Sequence, residues 1–335
     1  MTVAEVTGRK RIDWPRMLGR HGWTGGVWLL FAAIVIYYMT LIPSFGAFQI
    51  TSLAKNSLPL VFLAVAQAII VIAGGIDLGI GAVLVFGNAV AAQLMDGQPF
   101  ATTILIAIGV VVLCAVLNGV VGWIIAVSRV PDIVVTLATL FIISGLALLV
   151  LPSPGGGTSE GFRAIFTGSA TGSGTNFIPP LILLTLPVAV AAYFMRRTRT
   201  GLSIYATGSD PMAAFLSAVN TKRAKVVSYA LGGAYAGLAG LAALAITGSG
   251  ESRFVTAANF TLRAVAAIVL GGIALTGGVG SVVGATAAGL ILFTLNPVLS
   301  AMGIDPNTAQ VIQGTLIVVV MMVAGIIQLR RERAE

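Results

Sequence analysis

Ten apolar stretches separated by short polar segments make up most of this chain: 27–42, 57–73, 81–95, 101–127, 133–151, 179–195, 226–247, 262–276, 281–295 and 308–329. Most approach the ~20 residues a helix needs to cross a hydrocarbon core. Charged residues make up 9% of the 335, whereas a water-soluble domain carries roughly a quarter. A surface this poor in charge is stable only against lipid. There each backbone polar group must be satisfied internally, which favours helices as spanning elements. The expected fold is all-α, a polytopic transmembrane helix bundle of about ten spans with glycine-broken helices. Residues 1–26 form an N-terminal arm, 27–329 the membrane domain with a polar loop at 196–225, and 330–335 a tail. The stretches 57–95 and 262–295 stay open: each is two spans with a tight turn or a longer element broken at membrane depth.

The net charge of +8 is spread between the apolar stretches rather than gathered into a patch. That distribution points to orientation in a membrane and away from nucleic acid. With the N-terminus inside, fifteen basic residues fall on the cytoplasmic side and four outside, and an even number of spans returns the C-terminus to the cytoplasm. The apolar run after the basic arm is longer than a secretory h-region, so the arm reads as retained. Cys114 and His21 are the sole residues of their types. No intrachain disulfide, cysteine metal cluster, multi-histidine metal site or Ser-His-Asp triad can form within one copy. His21 lies among Trp14, Trp23 and Trp28, which suits anchoring at an interface. The stretch 152–178 is rich in Gly, Ser and Thr without a strong hydrophobic pattern, and is expected outside.

Small residues at four-residue spacing, Ser228, Gly232, Ala236 and Gly240, and again Gly280, Gly284 and Ala288, predict close helix packing. Two stretches are too glycine-rich for a continuous helix: Ala73 to Gly81 around Asp77, and Gly271 to Gly280. Each glycine costs about 1 kcal/mol against alanine in a helix. A break at membrane depth survives only where protein or a water-filled cavity covers the freed backbone. Gly74, Gly75 and Asp77 are therefore candidate walls of a polar route, and a plain cytoplasmic hairpin fits equally. Ser209, Asp210 and Pro211 read as a helix start, with Pro at the first helical position. The short apolar segment that follows, Met212, Ala213, Ala214, Phe215 and Leu216, is too brief to span and calls for a covering partner.

In this order the segments resemble the ribose-type permeases of bacterial sugar importers. Gly74 to Gly81 is similar to that family's GGIDLSVG-like stretch, Gly201 to Val219 to its GxxxYAxGxNPxAAxxxGI-like loop, and Ala266 to Gly284 to its AAxxxGGxxxxGGxGSxxG-like stretch. Tyr229 to Gly240 resembles its small-residue span, and the likeness covers about 50–328. It implies a bacterial inner-membrane permease subunit that works with a second, identical or related permease, cytoplasmic ATP-binding-cassette ATPases and a periplasmic sugar-binding protein. The loop Ser209 to Leu216 would transmit the ATPase movement. No cofactor belongs to this chain on that reading; ATP and magnesium belong to the ATPase. Departures are Gly79 for Ser, Asp210 for Asn, Met212 for an acidic residue, Phe215 for a basic one and Ala218 for Gly, with Thr261 and Arg263 at acidic positions. They fit a subunit that pairs with a non-identical permease.

An ion-coupled secondary transporter is the main rival. Such coupling uses ionisable groups inside spans, and only Asp77 is expected deep, with Asp132 and Arg263 near span ends. That scarcity also suits a neutral sugar or polyol. Polar candidates along a route are Gln67, Asn88, Asn118, Thr136, Thr139, Gln310 and Gln313, each read first as a hydrogen-bond partner for a neighbouring helix. No ring-forming charge pattern marks a channel, no reactive constellation marks an enzyme, and no G-x-x-x-x-G-K-[ST] loop occurs, so ATP hydrolysis is expected on another chain.

Overall fold

The structure, a computed structural model, describes residues 14–128, 130–169, 175–305, 307–315, 318–319 and 322. Its helices are α1 (Trp14–Leu41), α2 (Ala47–Ile72), α3 (Ile80–Met95), α4 (Phe100–Ser128), α5 (Asp132–Val150), α6 (Glu160–Thr167), α7 (Ile178–Arg197), α8 (Arg199–Ser209), α9 (Pro211–Leu216), α10 (Thr221–Thr247), α11 (Phe254–Leu270) and α12 (Val282–Ala301). Helical backbone resumes at 307–315. Among the described residues there is no strand, only an isolated bridge between Gly155 and Gly250.

Seven of these helices are long and apolar enough to cross a membrane, against the expected ten or so. The glycines explain much of the shortfall. They end α2 at Ile72 and α11 at Leu270, and leave α3 and α11 with 16 and 17 residues. At 1.5 Å per residue those lengths are ~24 and ~26 Å, short of a ~30 Å hydrocarbon core. Half of the last expected stretch, 308–329, lies outside the described residues. The expected 262–276 span is also displaced: α11 begins at Phe254 and stops where Gly271 and Gly272 interrupt it. The arm is not wholly non-helical, since α1 starts at Trp14. Within 152–178 a helix does form. In α6, Ser159 accepts the N–H of Phe162 as an N-cap, and Phe162 and Phe166 bury one face. That i, i+4 aromatic pair was the available signal.

The core forms where α2 is enclosed by α10, α11 and α12. Close approach depends on small residues. A Cβ at Gly233 would overlap the carbonyl of Cys114 on α4, and one at Gly240 would lie 2.5 Å from the carbonyl oxygen of Leu84 on α3. Dispersion contacts between backbones replace the hydrophobic drive that lipid does not supply. The outward faces stay apolar, with Leu105, Val116 and Trp123 on α4 and Leu29 and Ile36 on α1 exposed.

Candidate functional site

Both glycine breaks lie at one end of the bundle and meet α8 there. Gly74 and Gly278 take positive φ, +71° and +69°, which L side chains rarely adopt. Gly278 N–H donates to the Ile72 carbonyl at 2.9 Å, closing one break on the other. Gly208, in the last turn of α8, is wedged between them, and a Cβ there would overlap the Ile72 carbonyl. Two side chains tie the second break to the same unit: Tyr205 hydroxyl donates to Gly280 carbonyl at 3.0 Å, and Arg196 to Ser281 Oγ at 3.0 Å. Gly208→Ala is therefore expected to push α8 off both breaks. Its measurable result is a loss of transport of at least about tenfold together with a lowered melting temperature of the purified chain.

The first break is held by a polar lattice. Asp77 is fully buried; one carboxylate oxygen accepts the Gly79 N–H at 2.8 Å and the other accepts Asn118 Nδ2 at 3.0 Å. Asn118 also donates to the Tyr229 carbonyl at 3.0 Å. Asp77 is not itself the N-cap of the next helix. Gly79 holds the N-cap position of α3, and Asp77 closes a turn onto it from two residues earlier. Thr136 Oγ1 donates to the Ile76 carbonyl at 3.3 Å, and Tyr229 hydroxyl donates to Asp132 at 3.1 Å. Lys225 pairs with Asp132 at 2.6 Å and donates to the Gly74 carbonyl at 3.1 Å. Thr139 bonds its own helix at the Thr136 carbonyl, 2.9 Å, yet decides what fits at 79. A Cβ on Gly79 would lie 2.9 Å from Thr139 Oγ1.

Sequence reasoning missed Asp132, Tyr229, Lys225 and Thr261 in this lattice. Thr261 accepts the Gly81 N–H at 3.0 Å and donates to the Leu78 carbonyl at 3.3 Å. Asp132 and Lys225 had a signal, being opposite charges at the two helix starts α5 and α10. Their pairing across 93 positions had none.

The remaining candidates do not join this cluster. Asn88 lies toward the other end, donating to the Gly240 carbonyl at 3.0 Å and accepting the Glu251 N–H at 2.7 Å. It lines a cavity of about 250 Å³ with Asn56, Glu251, Thr256 and Phe260. There, hydrogen bonding to Arg253 holds the Glu251 carboxyl below its ordinary range. Gln67, eleven residues and three turns along α2 from Asn56, is buried with both amide atoms unpartnered. Gln313 donates to the Leu292 carbonyl at 2.7 Å, a packing bond, and Gln310 is exposed. Arg263, expected near a span end, instead stands in the middle of α11. That placement removes one ground for expecting a neutral solute. Among the described residues no group of His, Cys, Asp and Glu could hold a metal.

Seven membrane-length helices, a polar lattice around broken helices and an exposed apolar helix at one end define a multi-pass membrane transport subunit. The family described as branched-chain amino acid transport system / permease component matches residues 49–321, and the chain belongs to it. Among curated proteins, the ribose import permease protein RbsC of Bacillus subtilis is 30% identical over 322 residues, 94% of this chain and 96% of the relative. RbsC of Escherichia coli K12 is 27% identical, covering 96% and 98%. The fructose import permease protein FrcC of Rhizobium meliloti is 29% identical, covering 83% and 78%. No solved structure matches.

Proposed function

We propose that this chain is the membrane-spanning permease subunit of an ATP-binding-cassette importer, forming the route for a sugar or polyol released by a periplasmic binding protein. The observation that carries this reading is the unit α8–α9. It presents an apolar helix to a partner while Gly208 and Tyr205 tie it to both helix breaks. A cytoplasmic ATPase that moves α9 as it binds ATP and magnesium thereby moves both breaks together. The α8–α9 end is cytoplasmic on this reading, in agreement with the basic bias of the sequence. On this reading the short helices α3 and α11 cross together with their glycine-rich flanks, and the expectation of about ten crossings in the bacterial inner membrane is kept. A second permease subunit completes the route.

Two measurements test it. Uptake by the assembled importer should survive collapse of ion gradients and stop on ATP depletion. Uptake by the purified chain alone, driven by a proton gradient, would instead establish the secondary-transporter reading. Glu160→Cys should react with an impermeant thiol reagent from outside and Lys222→Cys only from inside. Both positions are exposed, and Cys114 is buried; the reverse pattern sinks the orientation.

A further inference from the structure

Arg263 stands nine residues into the 17-residue helix α11, ~13.5 Å from its outer end. It is partly buried and makes no hydrogen bond or ion pair among the described residues. Four of the described acidic groups are committed elsewhere. Asp77 is bonded to Asn118 and Gly79, Asp132 to Lys225, Glu251 to Arg253, and Asp305 to the backbone of Asn307 and Thr308. A guanidinium at that depth against lipid is costly, and such residues mark solute pathways and their partners.

The helix tells where the group leads. Thr256 precedes Arg263 by seven residues, two turns, so both lie within ~20° of one direction around α11. Thr256 and Phe260 line the 250 Å³ cavity. Helical side chains lean toward the N-terminus of their helix, here toward that cavity. On α2 the same descent runs from Asn56 in the cavity wall to Gln67, whose buried amide has no partner at either atom. A cation and an amide, both without a partner among the described residues, thus stand on the faces that continue inward from the cavity.

We propose that Arg263 is the anion-recognition residue of the translocation route, and that the solute is an acidic sugar derivative: a polyhydroxylated chain bearing a carboxylate or phosphate. Arginine suits both groups because its planar fork of donors meets two of their oxygens at once. Hydroxyls of the same solute match an amide such as Gln67, which donates and accepts. The proposal rests on the importer reading above and names the class of solute for it.

The test uses the importer purified with its native ATPase, second permease and binding protein, in proteoliposomes. The probes are two matched pairs, D-gluconate with D-glucitol and D-glucose 6-phosphate with D-glucose, plus D-ribose. At least one acid should enter under ATP about tenfold faster than its neutral counterpart, and the pair that responds tells carboxylate from phosphate. Arg263→Gln should lower that uptake at least about tenfold, the loss of one charge-assisted bond, while Arg263→Lys, which keeps the charge but not the fork, should fall between that variant and wild type. Co-purification of every subunit and unchanged elution on size exclusion show that the variants fold. Equal acid uptake by wild type and Arg263→Gln overturns the proposal. So does ATP-driven entry of the neutral probes with exclusion of both acids, an outcome that leaves the importer reading standing. Loss of the second permease from Arg263→Gln with an unchanged acid-to-neutral ratio assigns the arginine to a subunit contact and likewise overturns it. Entry that needs an ion gradient and no ATP refutes the importer reading instead.

Discussion

Phe215→Glu is expected to release the ATPase from this subunit, with at least about a hundredfold loss of affinity, while the bundle still inserts and folds. On α9, Met212, Phe215 and Leu216 are 67%, 65% and 77% exposed, three large apolar side chains on six residues. The helix is set rigidly: the Asp210 carboxylate accepts the N–H groups of Met212 at 2.9 Å and Ala213 at 3.0 Å, and Pro211 fixes the first turn. A preorganised aromatic on such a helix is the type of residue whose truncation costs about 2–4 kcal/mol at an interface. An uncompensated carboxylate adds a desolvation penalty. Ala214 is a poorer place for the same charge, although sequence alone made the two equivalent. It is 6% exposed and faces inward, so Ala214→Glu would disturb the seat of α9 itself. Co-purification of the ATPase with each variant, beside thermal unfolding of the permease, separates the two effects. An intact complex with Phe215→Glu would remove α9 from the docking surface.

The parts legible in the sequence were those set by local rules. Pro211 after Asp210 predicted the start of α9, and the glycine runs marked both breaks. Small-residue spacing in α10 correctly implied close packing, and Gly233 and Gly240 leave no room for a side chain. What the sequence could not show was which breaks meet. Ile72, Gly208 and Gly278 converge from three distant segments, and the hydrogen bond from Gly278 to Ile72 has no local signature. Hydropathy marks more stretches than the seven helices long enough to cross for a related reason: it sums composition, whereas α3 and α11 are shortened by where the backbone turns. For the candidate route, polarity alone did not discriminate between jobs. Gln313 and Asn88 spend their amides on backbone partners, while Gln67 on an equally apolar helix spends neither end.

Asp77 separates a structural from a transport role most sharply, and the lattice changes what its substitutions should do. Asparagine at 77 keeps an oxygen for the Gly79 N–H, but its amide nitrogen then confronts Asn118 Nδ2, donor against donor. Asn118 cannot turn over to accept without giving up its bond to the Tyr229 carbonyl. Asp77→Asn is therefore expected to cost about 1–3 kcal/mol, one unsatisfied buried group. Asp77→Ala strands both the Gly79 N–H and the Asn118 amide, about 3 kcal/mol or more, and leaves a void at the turn. Thermal unfolding in lipid nanodiscs should rank wild type above Asn and Asn above Ala. The reciprocal exchange, Asp77→Asn with Asn118→Asp, rejoins the two side chains while the Tyr229 carbonyl still lacks its donor, so it should recover part of the loss. Uptake should follow that same order if the carboxylate serves only to hold the break. A variant Asp77→Asn that matches wild type in unfolding temperature and ATPase binding, yet carries no solute, would refute this structural account. It would show instead that the negative charge itself takes part in transport.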